Sequence, residues 1–137
     1  MRWSVEEHFP EDDARVISEG VFRFGRAEAV GGDARPIASF LRKENQVIAG
    51  ATGRTEFRRL FVNYLWVRDD LRGQGLGTEA LTRIETAARQ RGAVDSLIET
   101  LNDRNAQLYR SLGYTPVAVI ERAVGPFTRH ILLKPLA

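Results

Sequence analysis

LWVRDDLRGQGLGTEAL, residues 65–81, is the most informative segment of this 137-residue chain. It starts inside an apolar run, LFVNYLWV at residues 60–67, which is typical of a central strand covered on both faces. A loop, a glycine-dense turn and a helix follow, and we expect the helix to extend to about Arg91 because its apolar residues fall on one face. The segment therefore predicts a strand, a glycine-rich turn and a helix in direct succession.

The glycine-dense turn has the properties of an anion-binding site. Unpaired backbone N–H groups converge at the start of a helix, and the helix dipole adds partial positive charge there. Gly73, Gly75 and Gly77 lack a Cβ atom, so the backbone can adopt left-handed conformations and a phosphate can approach it closely. Arg72 adds a cation, and the alternative is that the glycines only shape a tight turn. The spacing fits neither the dinucleotide-binding fingerprint, because Thr78 stands where a glycine is required, nor the P-loop.

The segments before this turn predict a strand, a helix and a hairpin. Residues 2–7 alternate apolar and polar side chains as a short strand does, and residues 11–30 repeat apolar side chains at helical spacing. Residues 36–43 and 46–57 have the composition of two strands that are joined by a tight turn at residues 44–45. Strands joined by so short a turn must pair in antiparallel fashion.

The segments after the helix complete a mixed sheet. A buried strand at residues 94–101 is followed by a short helix at residues 103–112, and two last strands cover residues 114–122 and 127–134. The order is βαβββαβαββ, which defines an α/β (α+β) fold with helices flanking the sheet. The strands before and after the long helix should be parallel neighbours, because a helix connects them.

Composition limits the function classes. A chain of 137 residues with 43% hydrophobic residues predicts one domain, residues 1–137. With no cysteine and only two histidines, a thiolate nucleophile is excluded and we expect no metal site. The 20 basic and 18 acidic residues nearly balance and are spread along the chain, so we expect no nucleic-acid partner. No apolar run approaches the length of a membrane span, so we expect no membrane partner and a cytoplasmic location.

Two motifs make the chain similar to the GCN5-related N-acetyltransferase (GNAT) superfamily. The central family motif, Gln/Arg-x-x-Gly-x-Gly/Ala, stands here as RGQGLG at residues 72–77. The family's Leu-Tyr-x-x-x-Gly-Phe/Tyr stands as LYRSLGY at residues 108–114. The resemblance, which extends over most of the chain, implies a mostly antiparallel sheet of about seven strands with one parallel, splayed pair. It also implies an enzyme that transfers an acetyl group from acetyl-coenzyme A (acetyl-CoA) to a primary amine by direct attack in a ternary complex.

The resemblance also assigns residues to the acyl donor. It implies that the pyrophosphate binds the backbone of the glycine turn and that pantetheine lies along the preceding strand. Either Asn102 or Asn105 is expected to contact the donor as well, with capping of the short helix as the alternative role of both. The full set of expected donor-binding residues is Leu65, Trp66, Val67, Arg68, Arg72, Gly73, Gln74, Gly75, Leu76, Gly77, Thr78, Asn102 and Asn105.

Tyr109 is the expected catalytic residue. By resemblance it protonates the departing thiolate of coenzyme A, and a tyrosine is suited to this because its hydroxyl keeps its proton at neutral pH. The alternative is a tyrosine that only packs on the apolar face of the short helix.

The residue that removes a proton from the acceptor amine stays open. Glu56, Glu99 and His130 are candidates, and relay through water is an equal alternative, because the central strand carries Asn63 and Tyr64 instead of the glutamate that many family members use. For this reason a second hypothesis stands beside the enzyme: a non-catalytic, acyl-CoA-binding regulatory or interaction module. We expect a small-molecule or peptide amine as the acceptor. The C-terminal strands would also leave an edge that a second copy could cover in a homodimer.

Overall fold

The structure of the chain, a computed structural model, describes residues 1–28 and 33–137. It consists of two compact units, one up to residue 32 and one from Asp33 to Ala137. The predicted loop at residues 31–32 and the predicted end of the first helix at residue 30 lie outside the described residues.

The described part of the N-terminal unit contains one helix, α1 (Glu11–Glu28). The helix starts after Pro10, whose carbonyl oxygen accepts a hydrogen bond from the backbone N–H of Asp13 at 3.1 Å. The predicted strand at residues 2–7 is wrong, since this segment has no strand and Trp3 and Val5 are fully exposed. A short alternation of apolar and polar residues specifies a strand only where a neighbouring strand supplies hydrogen-bond partners, and the segment by itself cannot supply one.

The larger unit is built on a six-stranded sheet in the order β1-β2-β3-β4-β6-β5. The fold class is confirmed, with six strands in place of about seven because the first predicted strand does not form. Only β3 and β4 are parallel, and the other neighbours are antiparallel. The elements are β1 (Arg35–Lys43), β2 (Gln46–Glu56), β3 (Arg59–Val67), a 3-10 helix (Asp69–Leu71), α2 (Leu76–Gln90), β4 (Asp95–Thr100), α3 (Asp103–Ser111), β5 (Thr115–Val124) and β6 (Phe127–Pro135).

Local sequence explains how these elements begin and end. Glu44 and Asn45 both have positive φ, 52° and 66°, as the two central residues of a tight hairpin turn require. Gly92 and Gly113, with φ of 92° and 100°, follow the ends of α2 and α3, where the chain must leave the helix in a left-handed conformation. These turns confirm the predicted hairpin and helix ends.

The core lies where α2 packs against β1, β2 and β3. Leu81 and Ile84 of α2 are completely buried, as are Leu60 of β3 and Leu132 of β6. Burial along β3 is one-sided, because Leu60 and Val62 are buried while Asn63 and Tyr64 are exposed. The expectation that this strand is covered on both faces is therefore wrong for its second half.

The central parallel pair of strands separates midway. Strands β3 and β4 are paired from Arg59 with Asp95 to Phe61 with Leu97, whereas β3 continues to Val67. On the other side of β3 a bulge shifts the register, since Thr52 pairs with Tyr64 but Gly53 pairs with Val62. A bulge bends its strand and re-aims the neighbouring side chains. The second half of β3 therefore diverges from β4 and leaves space between the two strands.

Candidate active site

The loop after β3 leads directly into α2 through two left-handed glycines. Gly73 and Gly75 have φ of 80° and 79°, and Gly75 is the residue immediately before the helix. No side chain caps this helix end. The backbone N–H of Glu79 already bonds to the carbonyl oxygen of Gly75 at 3.0 Å, so the free amides are those of the first turn. These amides can donate to an anion.

The glycines of this turn fall into two kinds. A Cβ atom at Gly73 or Gly75 would meet no atom within 4 Å, so these residues are required by backbone conformation and not by packing. Gly77 has no positive φ, because it lies inside the helix, and a Cβ there would lie 3.6 Å from Cγ2 of Val67. The left-handed conformation expected for all three glycines therefore applies to two of them.

A cavity of about 610 Å³ joins the glycine turn to β3 and α3. All the residues expected to bind the donor, together with Tyr109, line this cavity, except Arg68 and Gln74. Leu71 and Leu108 also line it and were not predicted from sequence. Leu108 could have been predicted, since it is the first residue of the LYRSLGY motif. The complete lining is Leu65, Trp66, Val67, Leu71, Arg72, Gly73, Gly75, Leu76, Gly77, Thr78, Asn102, Asn105, Leu108 and Tyr109. We call this space the donor cavity.

Two arginines beside the turn differ in their partners. Arg68 forms a two-pronged pair with Asp70, at 2.6 and 2.9 Å, and this pairing lowers the pKa of the exposed Asp70 carboxyl. Arg72 lies in the lining of the donor cavity, pairs with Asp69 at 2.8 Å and donates from Nε to the carbonyl oxygen of Val67 at 3.2 Å, while its side chain stays 63% exposed. An exposed ion pair is weak enough for a phosphate to compete with it, so Arg72 can turn toward an anion in the cavity.

Tyr109 lies on α3 and is 5% exposed. Burial raises the pKa of its hydroxyl, so the protonated form is favoured more strongly than in water. Its ring packs against Tyr114 with a distance of 6.1 Å between ring centroids and an angle of 57° between the ring planes. Tyr109 is thus both a core residue and a wall of the donor cavity, so its packing does not remove it from the site.

Asn102 and Asn105 occupy different positions at the start of α3. Asn102 precedes the helix, and its side-chain oxygen accepts a hydrogen bond from the backbone N–H of Asn105 at 3.0 Å. Asn102 is therefore the helix cap. Both side chains line the donor cavity, and the oxygen of Asn105 has no such structural task.

A second cavity of about 470 Å³ lies beside the bulged part of β3, and we call it the bulge cavity. Glu99 is the one base candidate in its lining, and it pairs with Arg129 at 3.1 Å. The other two candidates are also engaged: Glu56 pairs with Arg54 at 3.2 Å, and His130 contacts Asp103 at 2.7 Å. The lining consists of Arg54, Phe61, Val62, Asn63, Tyr64, Leu97 and Glu99.

The described residues offer neither a metal cluster nor a membrane-spanning helix. In residues 1–28 and 33–137, His, Asp and Glu side chains nowhere gather in a group of three or more that could hold a metal ion. In the same part of the chain, every helix is too short or too polar to cross a membrane.

Comparison with known proteins places the chain in a family. Residues 2–114 match the family described as Acetyltransferase (GNAT) family, and the chain therefore belongs to it. It is 30% identical to blasticidin-S acetyltransferase of Streptomyces morookaense over 109 residues, which are 76% of this chain and 80% of that protein. The chain is an acetyltransferase of the GNAT family, as the two sequence motifs predict.

Solved structures agree with this fold. A crystal structure of an acetyltransferase from Bacillus cereus matches with a TM-score of 0.87 and 20% identity, covering 96% of this chain and 97% of that one. A crystal structure of aminoglycoside 6′-N-acetyltransferase complexed with coenzyme A matches with a TM-score of 0.66 and 14% identity, covering 74% and 73% of the two chains. At these identities the structures establish a shared fold.

Proposed function

We propose that this acetyltransferase moves the acetyl group of acetyl-CoA to the nitrogen of a primary amine by direct attack, with both substrates bound at once. One observation carries the proposal: an uncapped helix start, the diverging half of β3 and the Tyr109 hydroxyl-bearing ring border a single cavity. A thioester donor with an anionic tail needs all three features, because one holds the tail, one the extended arm and one the leaving sulfur.

The donor cavity fits acetyl-CoA in shape and chemistry. Free amides in the first turn of α2 and the Arg72 guanidinium suit the pyrophosphate, and the open space at Gly73 and Gly75 lets it approach. Leu65, Trp66 and Val67 would hold the pantetheine arm along β3 where that strand has lost its neighbour. Among the remaining expected contacts, Arg68 and Gln74 are the weakest, since they lie outside the lining.

The reaction needs two proton movements. The amine nitrogen attacks the thioester carbonyl carbon, a C–N bond forms and the C–S bond breaks. The hydroxyl of Tyr109 donates its proton to the departing sulfur, and the raised pKa of this buried tyrosine keeps that proton available. The amine must also lose a proton, to Glu99 or to water, and Glu99 is favoured over Glu56 and His130 because it lines the bulge cavity.

The acceptor is proposed to be a small-molecule or peptide amine that enters through the bulge cavity. Strand β3 lines both cavities, with residues 61–64 on one and residues 65–67 on the other, and this shared wall supports an acceptor site beside the donor. The relative at 30% identity is named for blasticidin S, which supports a small-molecule acceptor.

Residues 1–137 are proposed to form one acetyltransferase domain located in the cytoplasm. Strand β5 lies at one edge of the six-stranded sheet, so it has unpaired backbone groups that a second copy could cover in a homodimer.

Replacing Tyr109 by phenylalanine tests the proposal and separates the enzyme from a non-catalytic module. With blasticidin S and a panel of small amines and peptides as acceptors, release of the coenzyme A thiol gives the rate. We expect Tyr109→Phe to lower kcat by about 100-fold, a typical loss for a general acid, while the Kd for acetyl-CoA measured by calorimetry changes less than about twofold. Binding of acetyl-CoA without turnover on any amine would favour the binding module, and no heat of binding would exclude both.

The pH dependence of kcat provides a second readout for Tyr109. Because burial raises its pKa, the acid form persists as pH rises, and we expect no loss of kcat from its titration below about pH 10. An alkaline loss of kcat centred between pH 7 and 9 in initial-rate measurements, absent from Tyr109→Phe, would contradict the raised pKa of Tyr109.

A further inference from the structure

A buried polar network lies behind the donor cavity, outside the residues that line it. Glu85 of α2 is 3% exposed, and both of its carboxylate oxygens have partners. Lys134 of β6 donates to one at 2.9 Å, and the hydroxyl of Tyr114 donates to the other at 2.6 Å. Since the Tyr114 proton goes to Glu85, Ser96 of β4 donates to the Tyr114 oxygen, at 2.8 Å. The Tyr114 hydroxyl is thereby bonded to α2 and β4, and Nζ of Lys134 on β6 lies 5.6 Å from the centroid of the Tyr114 ring.

Stability alone does not account for this network. Taking an ion pair out of water can cost as much as the pair returns, and apolar residues of similar volume often serve as well. The helix face that carries Glu85 is otherwise apolar, since Leu81 lies one turn before and Ala88 three residues after it, and both are buried. What the polar network provides and an apolar core does not is direction, because hydrogen bonds hold the Tyr114 ring at one orientation.

Tyr114 passes this orientation to Tyr109 through two contacts. Its ring is the aromatic neighbour of the Tyr109 ring, and its backbone N–H donates to the carbonyl oxygen of Tyr109 at 3.0 Å. Tyr109 therefore has its backbone and its ring both set against a residue that the network holds in place. Glu85 and Lys134 themselves are absent from the lining of the donor cavity.

We infer that Glu85, Lys134 and Ser96 are positioning residues that act through Tyr114 to aim the Tyr109 hydroxyl at the reacting thioester. The inference rests on the proposed function, because it requires Tyr109 to be the general acid. It predicts that loosening the network lowers the rate of the chemical step and leaves donor binding unchanged.

A double-mutant cycle tests the inference. Tyr114→Phe keeps the ring beside Tyr109 but removes the hydroxyl, and Glu85→Gln keeps the shape but removes the charge. We expect each variant to lower kcat about tenfold, with the KM for acetyl-CoA changed less than about twofold. In a Tyr109→Phe background the same changes should lower kcat less than about twofold further, because there is no longer a hydroxyl to aim.

Arg83→Gln is the matched control. Arg83 lies on the exposed side of α2 and pairs with Glu79 at 2.7 Å, so this variant breaks an ion pair of the same helix without touching the network. We expect its kcat to equal that of the parent. Thermal unfolding and far-UV circular dichroism identify variants that do not fold. If Glu85→Gln fails to fold, Tyr114→Phe alone tests the inference, because it leaves no charge unpaired.

The outcomes separate the two proposals. If Tyr114→Phe and Glu85→Gln lowered kcat by the same factor whether residue 109 is Tyr or Phe, the positioning role would be overturned. The role of Tyr109 as general acid would remain. A rise in the KM for acetyl-CoA in parallel with the fall in kcat would also overturn it, since a general loosening would then explain the data. Full activity of Tyr109→Phe would overturn the proposed acid role and the inference with it.

Discussion

The donor cavity and the Glu85 network use polar groups in opposite ways. At the start of α2 the backbone amides have no side-chain cap, and Asn105 has an amide without a structural task. A few turns further along the same helix, both oxygens of Glu85 are bonded, and no buried side-chain N or O atom in the described residues lacks a partner. Unpaired polar groups near solvent are available to bind a ligand. The paired polar groups in the interior instead fix the positions of the side chains behind the cavity.

The largest expected effect comes from removing one partner of the partly buried Lys134–Glu85 ion pair. Lys134→Met leaves the Glu85 carboxylate buried without its cation, and we expect a loss of about 2–3 kcal/mol in the free energy of unfolding. This is below the value for a fully buried pair because the Lys134 side chain is 24% exposed. Adding Glu85→Leu to Lys134→Met should restore most of the loss, as measured by urea unfolding. A double variant no more stable than the single one would mean that the pair itself stabilises the fold.

A substitution at the start of α2 should block the binding of acetyl-CoA to the free backbone amides there. We expect Gly75→Val to raise the Kd for acetyl-CoA at least about tenfold, because a branched side chain occupies the approach of the pyrophosphate. The left-handed backbone also costs stability, roughly 1–2 kcal/mol. Gly92→Val is the matched control, since Gly92 has φ of 92°, open space around it and a position at the other end of α2. Calorimetry should show normal binding in the control, and equal weakening in both variants would refute the anion site.

The smallest expected effect separates Asn102 from Asn105. Asn102→Ala removes the cap of α3 and should lower stability by about 1 kcal/mol. Asn105→Ala should change stability by less than about 0.5 kcal/mol and raise the KM for acetyl-CoA severalfold, because its amide is free to contact the donor. Thermal unfolding measures the loss of the helix cap, and initial rates measure the loss of the donor contact. If Asn102→Ala alone raised KM, the cap would also be the donor contact.

Local patterns were sufficient for most of the fold. The turn at Glu44 and Asn45, the helix ends at Gly92 and Gly113 and the parallel crossover follow from residues close together in the chain. The strand predicted at residues 2–7 failed because alternation describes a half-buried surface, and whether another strand lies alongside is not a local property.

The candidate site was predictable to a similar extent. The motif residues that line the donor cavity are identified by sequence, but the omission of Arg68 and Gln74 from that lining depends on where the loop turns its side chains. The Glu85 network was missed, although a signal existed: Glu85 falls on the apolar face of a predicted helix. A charge on such a face indicates a buried partner, but that partner, Lys134, is not a helical neighbour and could not be inferred.

Sequence by itself determined where a backbone anion site could form and which tyrosine stands near it, because glycine conformations, helix ends and motif spacing are set by neighbours along the chain. Only the tertiary structure decided that β3 leaves β4 after three residue pairs, that Tyr109 is both buried and on a cavity wall, and that Glu85, Tyr114 and Lys134 meet. These features arise from contacts between residues far apart in sequence, and packing selects them only after the sheet has assembled.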